Sequence, residues 1–186
     1  MNKSFHLFEE LLPKNLVSGL IARAEMLPPL EAKFDNQVHE KIRVSELRWI
    51  YRQDDRFADV YRFVRDKFFE ANQYLNLDII QDKFPLQYTT YYGNANGHYD
   101  WHHDVKWPTQ NTGYDRKLSF ILQLSESDEY EGGDLEFQHI PEWNAKQFRQ
   151  KGKMLVFPSV MYHRVAPVTA GIRKSLVSWI EGPPWR

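Results

Sequence analysis

The sequence predicts an α+β protein: a double-stranded β-helix, that is, a jelly-roll or cupin-like pair of sheets, with N-terminal helices packed on one sheet. Three observations predict it. Apolar residues recur at helical spacing over the first eighty positions, and the pattern turns to alternation after Asp82. Gly, Asn and Pro pairs then punctuate a series of short β-like runs. Apolar residues make up 42% of the 186, and 15% are aromatic, which suits a packed globule rather than a disordered chain.

In chain order, Phe8, Leu11, Leu12, Leu16, Leu20 and Ile21 recur near helical spacing until Pro28-Pro29 stops the run. A stronger helix is expected from Asp54 to about Leu77. There Phe57, Val60, Tyr61, Val64, Phe68, Ala71 and Leu75 fall at steps of three and four, and Asp54 or Asp55 can cap the N-terminus. Strands are expected at 86–92, 98–104, 117–124, 133–138, 153–157, 161–165 and 173–181. No repeat or linker divides the chain. The expectation is therefore a single domain over 1–186, with 1–80 as a helical buttress and 84–182 as the jelly-roll core.

Composition narrows the function classes. Lys plus Arg number 24 against 25 for Asp plus Glu, and a formal charge of −1 argues against a nucleic-acid binder working through a basic field. With no Cys, disulfides, zinc ribbons, thiolate catalysis and iron–sulfur clusters are excluded. No apolar run reaches membrane-spanning length, and the start Met1-Asn2-Lys3-Ser4-Phe5-His6 lacks a secretory core, so a cytoplasmic location is expected. Oligomeric state cannot be read from the sequence.

His98, Asp100, His102 and Asp104 share even numbers. On a regular strand they project from one face, with Tyr99, Trp101 and His103 on the other. A His and a carboxylate two residues apart on a strand can bind one cation side by side, and His163 is the obvious third ligand from a distant strand. Two imidazoles and one carboxylate leave open positions, the arrangement of non-haem Fe(II) sites, with zinc as the rival metal. The matches His98/Asp100 and His102/Asp104 overlap, so spacing alone does not choose between them.

Further motifs follow in order. Tyr92, a turn from Gly93 to Gly97, and Tyr99 precede His102-His103-Asp104. Then come Arg116 to Ser125, Asp128 to Leu135, Phe157-Pro158-Ser159, His163 to Val168 and Gly171 to Ser175, closing on Trp179-Ile180. Over this stretch the chain resembles the prolyl 4-hydroxylase-like (PKHD-type) branch of the Fe(II)/2-oxoglutarate dioxygenases. The resemblance covers about half of the chain and says little of residues 1–80.

It implies His102, Asp104 and His163 as iron ligands. It also implies Arg173 as the holder of the far carboxylate of 2-oxoglutarate, with Ser175 as a third contact and Tyr92 near the metal. Arg suits that role because its planar fork meets a carboxylate with two hydrogen bonds. The chain departs from the resemblance at one point: oxygen-sensing members carry a co-substrate-contacting Tyr where Leu122 aligns here, so the expectation is that this contact is absent or is supplied by another hydroxyl such as Tyr88 or Tyr91. Tyr99, Trp101, Trp107 and Arg116 are the candidate substrate residues, Arg116 having an acidic neighbour as its other possible partner. The loop from Val105 to Asp115 is placed either to cover a substrate or simply to line the surface. His98 and Asp100 are expected at the rim, His103 facing away, and Gly132-Gly133 in a hairpin turn.

The function implied is hydroxylation of a prolyl residue in a peptide or protein, using Fe(II), 2-oxoglutarate and O₂, with ascorbate as reductant. Two alternatives stand beside it. One is hydroxylation of a free amino acid or other small molecule, and the other is a catalytically silent binding module, for which the triad should be broken. An open groove favours a peptide, and a closed pocket with an extra carboxylate-binding Arg favours a small molecule.

Overall fold

A computed structural model describes residues 4–31, 42–80, 84–105 and 113–185. In chain order the elements are β1 (His6–Leu7), α1 (Lys14–Glu25), β2 (Leu30–Glu31), β3 (Arg43–Val44), β4 (Glu46–Ile50), α2 (Ala58–Leu75), β5 (Leu86–Tyr92), β6 (His98–His102), β7 (Asp115–Gln123), β8 (Tyr130–Gly132), β9 (Leu135–Phe137), β10 (Met154–Pro158), β11 (His163–Val165) and β12 (Val168–Gly182). The strands form two antiparallel sheets. The major sheet runs β1-β10-β7-β12-β5-β4-β2, with β8 paired to the start of β12, and the minor sheet runs β3-β6-β11-β9. This is the jelly-roll expected from the alternation after Asp82.

Both expected helices form, with shifted ends. The first begins only at Lys14, with Pro13 as its N-cap, since proline's fixed φ and missing N–H suit a helix start. Phe8 lies outside it, 1% exposed in the core. A 3₁₀ turn over Asp55–Phe57 leads into α2, and the Asp54 carboxylate caps it by accepting from the Arg56 N–H at 3.2 Å. Asn76 in the left-handed conformation (φ 53°) ends α2. Residues 1–80 are not purely helical, however. They also supply β1 to β4, strands of two to five residues that add to both sheets. Runs this short carry no readable period, because their register comes from the neighbouring strand.

Alternation along the central strands divides the core in two. Leu118, Phe120, Leu122, Leu176 and Ile180 pack under the helices with Val64 and Phe68, and the Phe68 and Phe120 ring centroids lie 5.9 Å apart. Ile121, Leu155, Phe157 and Val177 face the other way, toward Leu135, Phe137 and Val165 of the minor sheet. This second face also buries Gln87, Thr89, Ser119, Gln123, Arg173 and Ser175, an unusual polar load for the inside of a sandwich. Polar side chains between sheets are stable only with partners, so the inter-sheet space is the place to seek a site. Replacing Phe68, fully buried at the helix–sheet contact, by Ala should cost about 3–5 kcal/mol. Urea unfolding checks this, and a loss well below about 1 kcal/mol would mean that α2 is not anchored through this ring.

Candidate active site

The metal-ligand strand departs from regular alternation. Between β11 and β6, His163 pairs with His102 and Val165 with Tyr99, so Asp100 and Trp101 together oppose the single residue Arg164 and the strand bulges there. The bulge corrects the expected face assignment. Tyr99 joins His102 on the interior side, their rings stacked at 3.5 Å, while Asp100 is exposed and its carboxylate accepts from the Trp101 N–H at 2.8 Å. His98 Nδ1 meets the Asn96 carbonyl at 2.8 Å. The strand ends at His102, and the Asp104 N–H is tied to the Ser159 carbonyl at 2.9 Å.

His102, Asp104 and His163 come together, each offering one ligand atom, all within 4.8 Å of one another. Asp104 Oδ1 lies 3.7 Å from His102 Nε2, and Oδ2 lies 3.6 Å from His163 Nε2. Both rings are oriented from behind: His102 Nδ1 meets the Asp100 carbonyl at 2.7 Å, and His163 Nδ1 meets that of Met161 at 2.9 Å. A proton on each Nδ1 leaves both Nε2 lone pairs for a cation. Burial, with the His163 ring beside it, pushes the His102 imidazole down to about 3, so it stays neutral near pH 7. For Asp104, burial works upward, but His163, His102, Arg116 and the Ser119 hydroxyl together hold the carboxyl below its usual range. That hydroxyl donates to Oδ2 at 2.6 Å and lies 2.9 Å from Ser159 Oγ. Two neutral nitrogens and one anionic oxygen on one face fit Fe(II), and the donor set also suits zinc.

Arg173 lies on β12 opposite Tyr91 of β5. Its side chain is 2% exposed, and Nη1 finds no hydrogen-bond partner among the described residues. Its stem fits because position 133 is glycine: a Cβ there would stand 2.8 Å from Val168 Cγ2 and 3.1 Å from Arg173 Cδ, at a φ of +63°. Gly133 is thus more than a turn residue. Arg173, Ser175, Tyr91 and the three triad residues line one cavity between the sheets. A buried cation with an unsatisfied donor calls for an anion in that space. The residues present therefore fit both a divalent metal and a dicarboxylate reaching from it to Arg173.

Other expected site residues fall differently. Tyr92 points to the opposite face from Arg173, its hydroxyl 3.4 Å from Glu46 Oε1, and Tyr91 takes the cavity side. Leu122 is buried under the helices, and its neighbour Gln123 occupies the interior face; Tyr88 bonds Glu25 at 3.0 Å, away from the cavity. Trp101 stacks on Tyr162 at 5.9 Å beneath Arg164, outside the cavity lining. Trp107 and residues 106–112 of the loop after β6 lie outside the described residues. Arg116 lies 4.0 Å over the Trp179 ring and forms no ion pair among the described residues. Sequence reasoning gave no site role to Ser119, Arg43 and Trp179, and named Tyr91 only as a stand-in for the contact missing at Leu122. Ser119 carried a signal, a small polar residue inside the run Leu118 to Leu122; Arg43, on a two-residue strand, carried none.

The 2OG-Fe(II) oxygenase superfamily model matches residues 86–181, just over half of the chain and all the strands that carry the triad. A PKHD-type hydroxylase of Synechococcus sp. (strain CC9311) is 42% identical over 85 residues, covering 46% of this chain and 37% of that protein. One from Stutzerimonas stutzeri (strain A1501) is 29% identical over 133 residues, covering 69% and 58%. The chain thus spans well under two thirds of the length of these relatives. Among solved structures, a Pseudomonas putida prolyl-4-hydroxylase superposes with a TM-score of 0.74 at 22% identity, over 95% of this chain and 92% of that one. A prolyl hydroxylase from Trichoplax adhaerens, in complex with a hypoxia inducible factor peptide fragment, gives 0.72 at 16% identity, over 95% and 83%. At those identities the superpositions speak for the fold, whereas the family match falls on the residues that build the site. The chain belongs to the 2OG-Fe(II) oxygenase superfamily.

Proposed function

We propose that the protein is an Fe(II)- and 2-oxoglutarate-dependent hydroxylase acting on a prolyl residue of a peptide or protein. One observation carries the reading: a single cavity is lined both by the His102–Asp104–His163 face and by the buried Arg173 guanidinium, whose Nη1 has no partner among the described residues. In this reading the triad holds the metal, Arg173 holds the far carboxylate of 2-oxoglutarate, and Ser175 and Tyr91 line its path. Bound iron and 2-oxoglutarate supply oxidative decarboxylation with O₂, coupled to insertion of oxygen into an unactivated C–H bond. The chain's own part is geometric. The Asp100 and Met161 carbonyls hold the rings, Ser119 orients Asp104, and the apolar wall of Ile121, Leu135, Val165 and Val177 keeps water from the reacting atoms.

For substrate class, the cavity opens into a groove lined by Leu47, Trp49, Tyr99, Arg116 and Trp179, a shape that favours a chain over a small molecule. The relatives' name and the peptide held by the Trichoplax adhaerens neighbour support the same reading. Hydroxylation of a free amino acid is the second reading, favoured by the arginines at the mouth of the cavity. An intact triad speaks against a silent binding module.

Three outcomes are expected. His163→Ala should abolish Fe(II) binding in equilibrium dialysis while His98→Ala retains it, and loss only in the second variant would move the site upstream. Arg173→Ala should raise the 2-oxoglutarate requirement by roughly 10- to 100-fold with iron binding kept, as expected for loss of a charge-assisted pair. An unchanged requirement would assign the grip to another residue. Mass spectrometry of proline-containing peptides incubated with the iron-loaded protein should show one added oxygen on proline; oxidation of free amino acids alone would sink the peptide assignment.

A further inference from the structure

Two guanidinium groups line the groove beside this cavity, and neither forms an ion pair among the described residues. Arg43, on β3, lies 4.4 Å over the Tyr99 ring, which itself stacks on His102, so the cation ends a three-layer pile resting on a candidate ligand. Its Nε donates to Ser45 Oγ and its Nη2 to Gln87 Oε1, both at 2.9 Å. These neutral anchors fix the direction of the group, and no carboxylate pairs with it among the described residues. Arg116, on β7, is held by the Trp179 ring. Asp104, committed to the triad, and Glu181, opposite it across the strand pair, attract it, and neither forms an ion pair with it among the described residues. Burial pushes Arg116 below its ordinary value, while Asp104, Glu181 and Tyr99 work upward and the like charge of Arg43 works downward. Both arginines line one groove together with Trp49 and Trp179, whose rings pack against each other with centroids 6.3 Å apart. Trp179 is 5% exposed, and its Nε1–H has no acceptor among the described residues.

Like charges brought together in a half-buried groove, each fixed by neutral or aromatic neighbours, are costly unless an anion joins them. Arginine on an aromatic face remains free to present its fork to a carboxylate. We propose that Arg43 and Arg116 form a carboxylate clamp, so that the substrate is an acidic peptide with an Asp or Glu side chain next to the residue that is oxidised. The packed Trp49 and Trp179 rings form one wall of the groove against which the peptide lies. The inference rests on the peptide reading above and adds the charge of the partner. It also gives the N-terminal region a task, since β3 carries one half of the clamp.

The test uses the iron-loaded protein with 2-oxoglutarate and blocked hexapeptides containing one proline, flanked on either side by Glu or by Gln. Binding is read anaerobically from Trp fluorescence, and oxidation by mass spectrometry. A Glu peptide should bind roughly 10- to 100-fold more tightly than its Gln twin, with the gap closing as salt rises. The preference should shrink in Arg43→Gln and in Arg116→Gln, and Arg43→Lys should restore part of it. Equal binding of the twins to the unaltered protein overturns the clamp, whatever the variants do; so does a preference that survives in both folded Gln variants. Peptides that bind with the Glu preference and are not oxidised, while a free amino acid is, would instead defeat the prolyl reading and leave the clamp standing.

Discussion

The burial of Arg173 between the two sheets is the constraint on which the interior depends. A guanidinium 2% exposed, with one nitrogen unpartnered, lies where an ordinary sandwich holds only aliphatic side chains. Several features accommodate it. Gly133 clears the volume for its stem, and Tyr91 offers a ring 5.5 Å from the charge. The strand that carries it, β12, is the longest in the protein and pairs with β5, β7 and β8. A cation on a strand held on both sides cannot move out to water. The remaining way to satisfy it is an anion of the right length in the cavity.

At the other end of the cavity, the β6 bulge does comparable work. One extra residue against β11 turns Tyr99 inward beside His102 and leaves Asp100 in solvent. It also brings the chain to Asp104 at the spot where Ser159 and Ser119 can hold the backbone and the carboxylate. The triad is thus held by sheet register and by hydrogen bonds behind each ligand. Such pre-organisation suits a site that must keep open positions for co-substrate and O₂.

The sequence made the chemistry legible where it depends on residue type and order, and hid it where it depends on register. Alternation after Asp82 disclosed the jelly-roll, and the ordered motifs singled out His102, Asp104, His163 and Arg173, which the fold gathers around one cavity. The face of Tyr99 was misread because period-2 reasoning assumes an unbroken strand, and a bulge leaves no mark in composition. Tyr91 and Tyr92 are adjacent and identical in type, so only the pairing of Tyr91 with Arg173 decides which one faces the co-substrate space. The strands before residue 80 escaped notice for a related reason. Arg43–Val44 is a strand only because β6 lies beside it, and the groove's second arginine depends on that pairing.

The account stands or falls on whether the triad and Arg173 act as one site for an iron-bound dicarboxylate. Anaerobic titration of the metal-free protein with Fe(II), followed by 2-oxoglutarate, addresses that directly through the weak visible charge-transfer band of the chelated pair. The account predicts no band with iron alone and a band that saturates at one 2-oxoglutarate per chain. Folded protein that binds iron yet gives no band at saturating 2-oxoglutarate would contradict it, and would turn attention to a zinc site on the same three ligands.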